Sequence, residues 1–74
     1  MNYGRAFKAI REEIGWTRPQ VAERLGITRG ALWKIENSKT EPKRKTIHKF
    51  CAETHIPIAY FYAKTMDLED YICP

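Results

Sequence analysis

The side chains that could perform chemistry in this chain include a cysteine flanked by two histidines. His48 lies three residues before Cys51 and His55 four residues after it, so all three would share one face of a helix. Such spacing can suit a bound metal ion or a thiolate–imidazole pair. Cys51, however, falls at a core-facing position of its segment, and no fourth ligand is near in sequence. We therefore expect no catalytic site, no metal, no cofactor and no enzymatic activity.

The second set of chemically capable side chains consists of lysines and arginines, which are unevenly distributed. Residues 1–49 contain 12 Lys/Arg and 5 Asp/Glu, a net charge of +7, whereas residues 50–74 have a net charge of −3. Solvated basic faces are common in proteins, but basic residues placed around a suitable motif also contact the phosphates of nucleic acids. Whether these basic residues contact phosphates or only face water therefore depends on the secondary structure elements that carry them.

The elements that would position these charges lie between residues 18 and 36. Two short amphipathic segments, each with helical spacing, are separated by a three-residue connection. Gly26 suits the left-handed C-cap of the first helix, and Thr28 can cap the free N–H groups of the second. So short a connection forces a steep crossing, for which Ala22 supplies the small side chain that Leu32 would pack against. The pattern predicts a helix-turn-helix, whose second helix usually lies in the DNA major groove.

The segments around this motif also have helical spacing, and none shows sustained alternation, so the expected fold class is all-α. Helix 1 is predicted over residues 3–14, with Phe7, Ile10 and Ile14 on its apolar face. Helix 4 is predicted to begin at or just after Pro42. A fifth helix is predicted over residues 56–62, with Pro57 in its first turn.

The chain is long enough for one small domain. We assign residues 1–62 to this domain and residues 63–74 to an acidic C-terminal tail, which would be a dimer arm or a loose segment. A core of this size rarely yields more than ~3–5 kcal/mol, so self-association would help to stabilise it. The sequence has no apolar run of about 18 residues and no signal-peptide pattern, which predicts a soluble, cytoplasmic protein without membrane contact.

Helix 4 is predicted to start with an unfavourable arrangement of charge. Lys43, Arg44 and Lys45 would place three cations at the end of a helix that favours anions. A bound phosphate would remove this conflict by accepting hydrogen bonds from both the helix N–H groups and the cationic side chains. The alternative is that all three side chains extend into water.

The fifth helix carries more aromatic surface than the small core needs. Phe61 can close the core together with Ile58, which leaves Tyr60 and part of Tyr62 as surplus. Surplus apolar surface of this kind suggests a dimer interface, which we assign to Ile58, Tyr60 and Tyr62.

These features resemble the XRE family, the Cro and phage-repressor type of helix-turn-helix proteins, from Phe7 to Tyr62. The matching residues are Ile10-Arg11-Glu12-Glu13, Gly15, the segment 17–26 with Ala22, Ile35-Glu36-Asn37, Lys39, Pro42 and Ile56-Pro57. The resemblance implies a five-helix, lambda-repressor-like DNA-binding domain. It also implies symmetric homodimers and operators with two half-sites about 34 Å apart.

The resemblance also implies roles for individual residues. Family members use the positions of Arg29, Gly30 and Lys34 to face base edges, and the position of Arg18 to contact a phosphate. From these positions and from the residues predicted to point outward beside them, we assign two sets of DNA-contacting residues. The alternatives are that Trp33 packs against helix 2 or helix 4 and that Gly30 is a tolerated glycine in a first turn. The base-contacting set is Thr28, Arg29, Gly30, Trp33 and Lys34, and the phosphate-contacting set is Arg18, Asn37, Lys39, Lys43 and Arg44.

This chain departs from the family at three of its positions. Family members commonly have Gln at position 18, a polar residue at position 30 and Gly at position 38. Arg18 can still bind phosphate, but Gly30 cannot read a base through a side chain, so readout would depend on Arg29 and Lys34.

The motif and the resemblance together predict sequence-specific binding of double-stranded DNA by a transcriptional repressor. The alternative is an antitoxin-like interaction module whose C-terminal third holds a protein partner, with DNA binding for autoregulation.

Overall fold

The computed structural model describes residues 2–66, and this part of the chain consists of helices and the turns between them. The five helices are α1 (Tyr3–Ile14), α2 (Arg18–Leu25), α3 (Arg29–Glu36), α4 (Arg44–Thr54) and α5 (Ile58–Lys64). Residues 2–66 contain no strand, and the all-α, five-helix prediction is confirmed.

Gly26 and Thr28 cap the turn between α2 and α3 as the sequence predicts, and a further cap lies at the start of α2. At the start of α2, Thr17 accepts a hydrogen bond from the Gln20 N–H, and the Gln20 side chain accepts one from the Thr17 N–H. Gly26 ends α2 in the left-handed region, with a φ of 71°. The Thr28 hydroxyl then accepts the Ala31 N–H at 3.0 Å as the N-cap of α3. These local bonds fix where the two helices begin and end on either side of the turn.

The core is enclosed by all five helices, because α1 packs against α3 and α5, and α2 packs against α3 and α4. Three phenylalanines fill its centre, and the ring centroids of Phe7 and Phe50 are 4.4 Å apart. Ala22 and Leu32 are buried in the same cluster, as predicted for the helix crossing. The buried hydrophobic residues of this core are Ala6, Phe7, Ile10, Val21, Ala22, Leu25, Leu32, Ile35, Ile47, Phe50, Cys51 and Phe61.

Two details of the predicted helices are wrong. Ile14 is 36% exposed and does not belong to the core, because it occupies the last turn of α1, directly before the C-cap Gly15. Pro57 does not lie within the first turn of α5 but caps it, since its carbonyl accepts the N–H groups of Tyr60 and Phe61.

The end of α5 is joined to the start of α1. Helix α5 continues two residues beyond residue 62, and Thr65 after it is buried. The N–H of Asn2 donates to the carbonyl of Thr65 at 2.9 Å, which joins the start of α1 to the end of α5. Residues 67–74 of the predicted tail lie outside the described residues.

Helices α1 and α3 approach each other closely at Gly4. A Cβ at this position would clash with the carbonyl oxygen of Ile35 and would lie 2.8 Å from that of Glu36. Because both obstacles are backbone atoms at the end of a helix, a side chain cannot be accommodated by a small rotation. Gly4 therefore fixes the C-terminal end of α3 against the first turn of α1.

Candidate nucleic-acid interface

The outward face of α3 carries all the residues predicted to contact bases. Leu32 and Ile35 anchor the opposite face in the core, which turns this set towards solvent. Trp33 is 45% exposed, an unusual exposure for so large an apolar side chain. The residues of this exposed face are Thr28, Arg29, Gly30, Trp33 and Lys34.

A surface groove runs beside this face, and we call it the α3–α4 groove. It has a volume of about 530 Å³ and lies between the start of α3, the connecting loop and the start of α4. Thr28, Gly30 and Lys34 line it from α3, and Lys43 and Thr46 line it from the start of α4. The groove therefore brings residues from the predicted base-contacting and phosphate-contacting sets to one place.

The start of α4 has the unfavourable charge arrangement that the sequence predicts. Lys43 is the N-cap and makes no side-chain capping hydrogen bond, and Arg44 and Lys45 open the helix. All three side chains are exposed, and the first turn contains no acidic residue. Cations and backbone N–H groups are thus both available to an anion at this end of α4.

The exit from α3 takes a left-handed turn at Ser38, which has a φ of 59°. The Asn37 side-chain amide donates to the carbonyl of Trp33 at 2.8 Å, and the Lys39 N–H donates to the carbonyl of Lys34 at 2.8 Å. These bonds satisfy the last carbonyls of the helix. The exit therefore keeps a conformation that favours glycine although serine stands there, and it leaves the Lys39 side chain exposed.

Arg18, predicted to contact phosphate, belongs to a cluster of charged residues around Glu36. Glu36 is the only charged residue among residues 2–66 that is buried, and its side chain is 1% exposed. Its carboxylate accepts hydrogen bonds from Arg11 Nε at 2.7 Å and from Arg18 Nε at 2.8 Å. Arg11 also donates through Nη1 to the carbonyl of Trp16 at 3.1 Å. Arg18, with 40% of its side chain exposed, is thus held at the protein surface by a buried partner.

The Glu36 cluster was missed by the sequence analysis, although a signal for it exists. Glu36 lies four residues after Leu32, and Arg11 lies four residues after Phe7, so both charges continue the apolar stripe of their helix. A charge on such a stripe is expected to be paired, because an isolated buried charge is strongly unfavourable. The two stripes meet where α1 packs on α3.

The residues predicted to form a dimer interface lie on α5 in different environments. Tyr60 is 40% exposed, whereas Ile58 and Tyr62 are partly buried against the core. The Tyr60 hydroxyl donates to Glu13 Oε1 at 2.7 Å, and Lys64 Nζ donates to Glu13 Oε2 at 2.6 Å. The hydrogen bond from Lys64, followed by that from Tyr60, lowers the pKa of Glu13, and the same bond to Glu13 raises the pKa of Lys64.

The cysteine and histidines considered for a metal or nucleophile site are separated by burial. Cys51 is buried in the core, and this burial raises the pKa of its thiol, whereas His48 and His55 are exposed. Within residues 2–66, no three His, Cys, Asp or Glu side chains are grouped so that they could hold a metal ion. In the same part of the chain, every helix is too short or too polar to cross a membrane.

Comparison with known proteins agrees with this geometry. A family profile described as a helix-turn-helix domain matches residues 2–53, which include α1, α2, α3 and most of α4. The HTH-type transcriptional regulator SutR of Escherichia coli (strain K12) is 28% identical to this chain over 54 residues. The aligned region covers 73% of this chain but 30% of the relative, so the chain spans about a third of the length of that protein. Because the profile match extends over more than half of its residues, the chain belongs to the helix-turn-helix domain family.

Proposed function

We propose that this protein is a transcriptional repressor that binds a palindromic operator in double-stranded DNA as a homodimer. The observation that carries this proposal is the exposed face of α3, with Arg29, Trp33 and Lys34 turned outward and the cationic start of α4 beside it. In helix-turn-helix proteins, the second helix of the motif enters the major groove and the surrounding cations contact the backbone.

Two side chains of α3 supply most of the proposed base readout. Arg29 presents a planar guanidinium that can donate two hydrogen bonds to O6 and N7 of guanine, and Lys34 can donate to the same edge less directionally. Thr28 and Trp33 lie on the same face, where they can contact bases or sugars. The proposed operator therefore contains at least one preferred G·C pair in each half-site.

The function is tested by selecting duplexes from randomised DNA with the whole chain at defined salt concentration. We expect enrichment of a motif with two inverted half-sites, centred about 34 Å apart. A population that remains random after several rounds would contradict sequence-specific binding, and a single asymmetric motif would contradict the symmetric dimer.

The affinity common to all sequences is assigned to residues that surround α3. Lys43 and Arg44 lie at the uncapped start of α4, Lys39 follows the exit of α3, and Arg18 is held at the surface by Glu36. Asn37 caps the end of α3 next to them. We assign these five residues to phosphate contacts, which position a protein on DNA without reading its sequence.

Replacing Lys43 by alanine is expected to weaken binding to all DNA sequences alike. Each lost phosphate contact lowers the magnitude of the slope of log K against the logarithm of the salt concentration by about 1. In a symmetric dimer the magnitude of this slope should therefore fall by about 2. Titrations at several salt concentrations measure this slope. The matched control is Lys8→Ala, which removes the same charge from an exposed position on α1. A slope for Lys43→Ala equal to that of the control would show that Lys43 is only a solvated cation.

Replacing Tyr60 by alanine is expected to weaken the proposed homodimer. Tyr60 is the most exposed of the three assigned interface residues. Truncating a tyrosine at the centre of an interface typically costs more than ~1 kcal/mol of binding free energy, and a symmetric dimer contains two such contacts. Sedimentation without DNA should therefore show a dimer dissociation constant raised by at least about tenfold. Trp33→Ala, which removes a similarly exposed aromatic ring from α3, should leave the constant unchanged; a wild-type chain that stays monomeric would contradict the dimer.

A further inference from the structure

We propose that Gly30 determines specificity by lacking a side chain, and that the space it leaves receives the C5-methyl group of a thymine in the major groove. This inference rests on the proposed DNA-binding function and assigns a base to one part of the interface. It concerns the α3–α4 groove, which Gly30 lines together with Thr28 and Lys34.

Nothing within the described residues requires a glycine at position 30. Its φ lies in the ordinary helical region, unlike those of Gly15 and Gly26. A Cβ added there would have the Thr28 hydroxyl oxygen, at 4.0 Å, as its nearest neighbour. Gly30 thus differs from Gly4, where the backbone of α3 excludes any side chain. Because glycine weakens a helix relative to alanine, what requires it here should lie outside residues 2–66.

Apolar residues contribute to the lining of the α3–α4 groove beside Gly30. Ala31 and Ile27 are partly buried and line it next to Gly30, and Pro42 lines it from the loop. The Thr28 hydroxyl already accepts the N–H of Ala31. Among the four bases, only thymine presents a methyl group on its major-groove edge, and a methyl group is what an apolar lining beside Gly30 can receive.

The charges of the groove favour a DNA strand as its occupant. Lys34 and Lys43 line it from opposite sides and are both exposed, against the single carboxylate of Glu41. A strand whose phosphates lie against Lys43 at the start of α4 would bring its base edges towards Gly30. The methyl group would then occupy the space that a Cβ would fill if residue 30 were not glycine.

The test uses the operator selected by the wild-type chain from randomised duplexes. Each thymine is replaced in turn by deoxyuridine, which removes only the methyl group, and Kd is measured for the wild-type chain and for Gly30→Ala. We expect one thymine in each half-site whose replacement weakens wild-type binding about fourfold, the value of one buried methyl group. Gly30→Ala should bind the thymine operator more weakly and lose this preference, because its own methyl group occupies the space.

Each outcome of this experiment has a definite meaning. Thermal melting should show Gly30→Ala to be at least as stable as the wild-type chain, so weaker binding cannot be attributed to unfolding. If no thymine is sensitive to loss of its methyl group, or if Gly30→Ala keeps the full preference for thymine, the inference is overturned while DNA binding stands. If the wild-type chain selects no DNA at all, the proposed function fails and the inference fails with it.

Discussion

Replacing Arg11 by methionine is expected to destabilise the domain by about 3–5 kcal/mol, the usual cost of breaking a buried ion pair from one side. Methionine keeps the length and apolar stem of the side chain but removes both hydrogen bonds to Glu36 and the one to the Trp16 carbonyl. The Glu36 carboxylate would then remain buried with only Arg18 Nε at 2.8 Å. Since a core of this size yields roughly the same free energy, the variant should be largely unfolded at 25 °C.

The measurement is urea unfolding followed by circular dichroism. The matched control is Lys64→Met, which breaks an ion pair to Glu13 that is equally short, at 2.6 Å, but exposed on both sides. Solvent screens such a surface pair, so the control should unfold close to the wild-type chain. The double variant Arg11→Met with Glu36→Gln should recover part of the loss, because it no longer buries an underpaired charge. Equal stability of Arg11→Met and Lys64→Met would show that the Glu36 cluster does not stabilise the fold.

Replacing Arg29 by alanine is expected to remove most of the preference for the selected operator while leaving the fold intact. A bidentate arginine–guanine contact is worth about 1–3 kcal/mol of discrimination, so each half-site should lose about 5- to 150-fold in affinity. Arg29 is exposed on α3 and has no hydrogen bond to the core, so its removal should not change the melting temperature.

The distinguishing measurement is the ratio of specific to non-specific affinity at one salt concentration. For Arg29→Ala this ratio should fall, and the preference at one G·C pair in each half-site should disappear. For Lys8→Ala, which removes an exposed charge from α1, both affinities should change little and the ratio should stay constant. An Arg29→Ala variant that lost specific and non-specific binding equally would show that Arg29 contacts phosphate and reads no base.

The parts of the fold that could be predicted from sequence depend on residues close together in the chain. The Gly26 and Thr28 caps involve partners no more than a few residues apart, and the helical period identified the face of α3 that is buried. Gly4 and the Glu36 cluster could not be derived in this way, because they depend on which residues of α1 and α3 meet. Arg11 and Glu36 are 25 residues apart in sequence.

In the candidate interface too, features that depend on nearby residues could be predicted from the sequence, and features formed by several elements could not. Exposure of Arg29, Trp33 and Lys34 follows from the period of α3, and the uncapped start of α4 follows from the residues at positions 43–45. The α3–α4 groove was not predicted, because it is formed by side chains of two helices and a loop. The free space beside Gly30 likewise became visible only when its neighbours were known.

The contacts that hold α3 in the fold, at Gly4 and in the Glu36 cluster, do not use the residues that α3 exposes to solvent. Both hold the helix from its inner side, and neither involves Arg29, Gly30, Trp33 or Lys34. We therefore expect substitutions at these four positions to have little effect on folding, and under the proposed function they would change the operator while the fold is kept. Positions 4, 11 and 36 should tolerate far less change, and a library designed to alter specificity should vary the first group and keep the second constant.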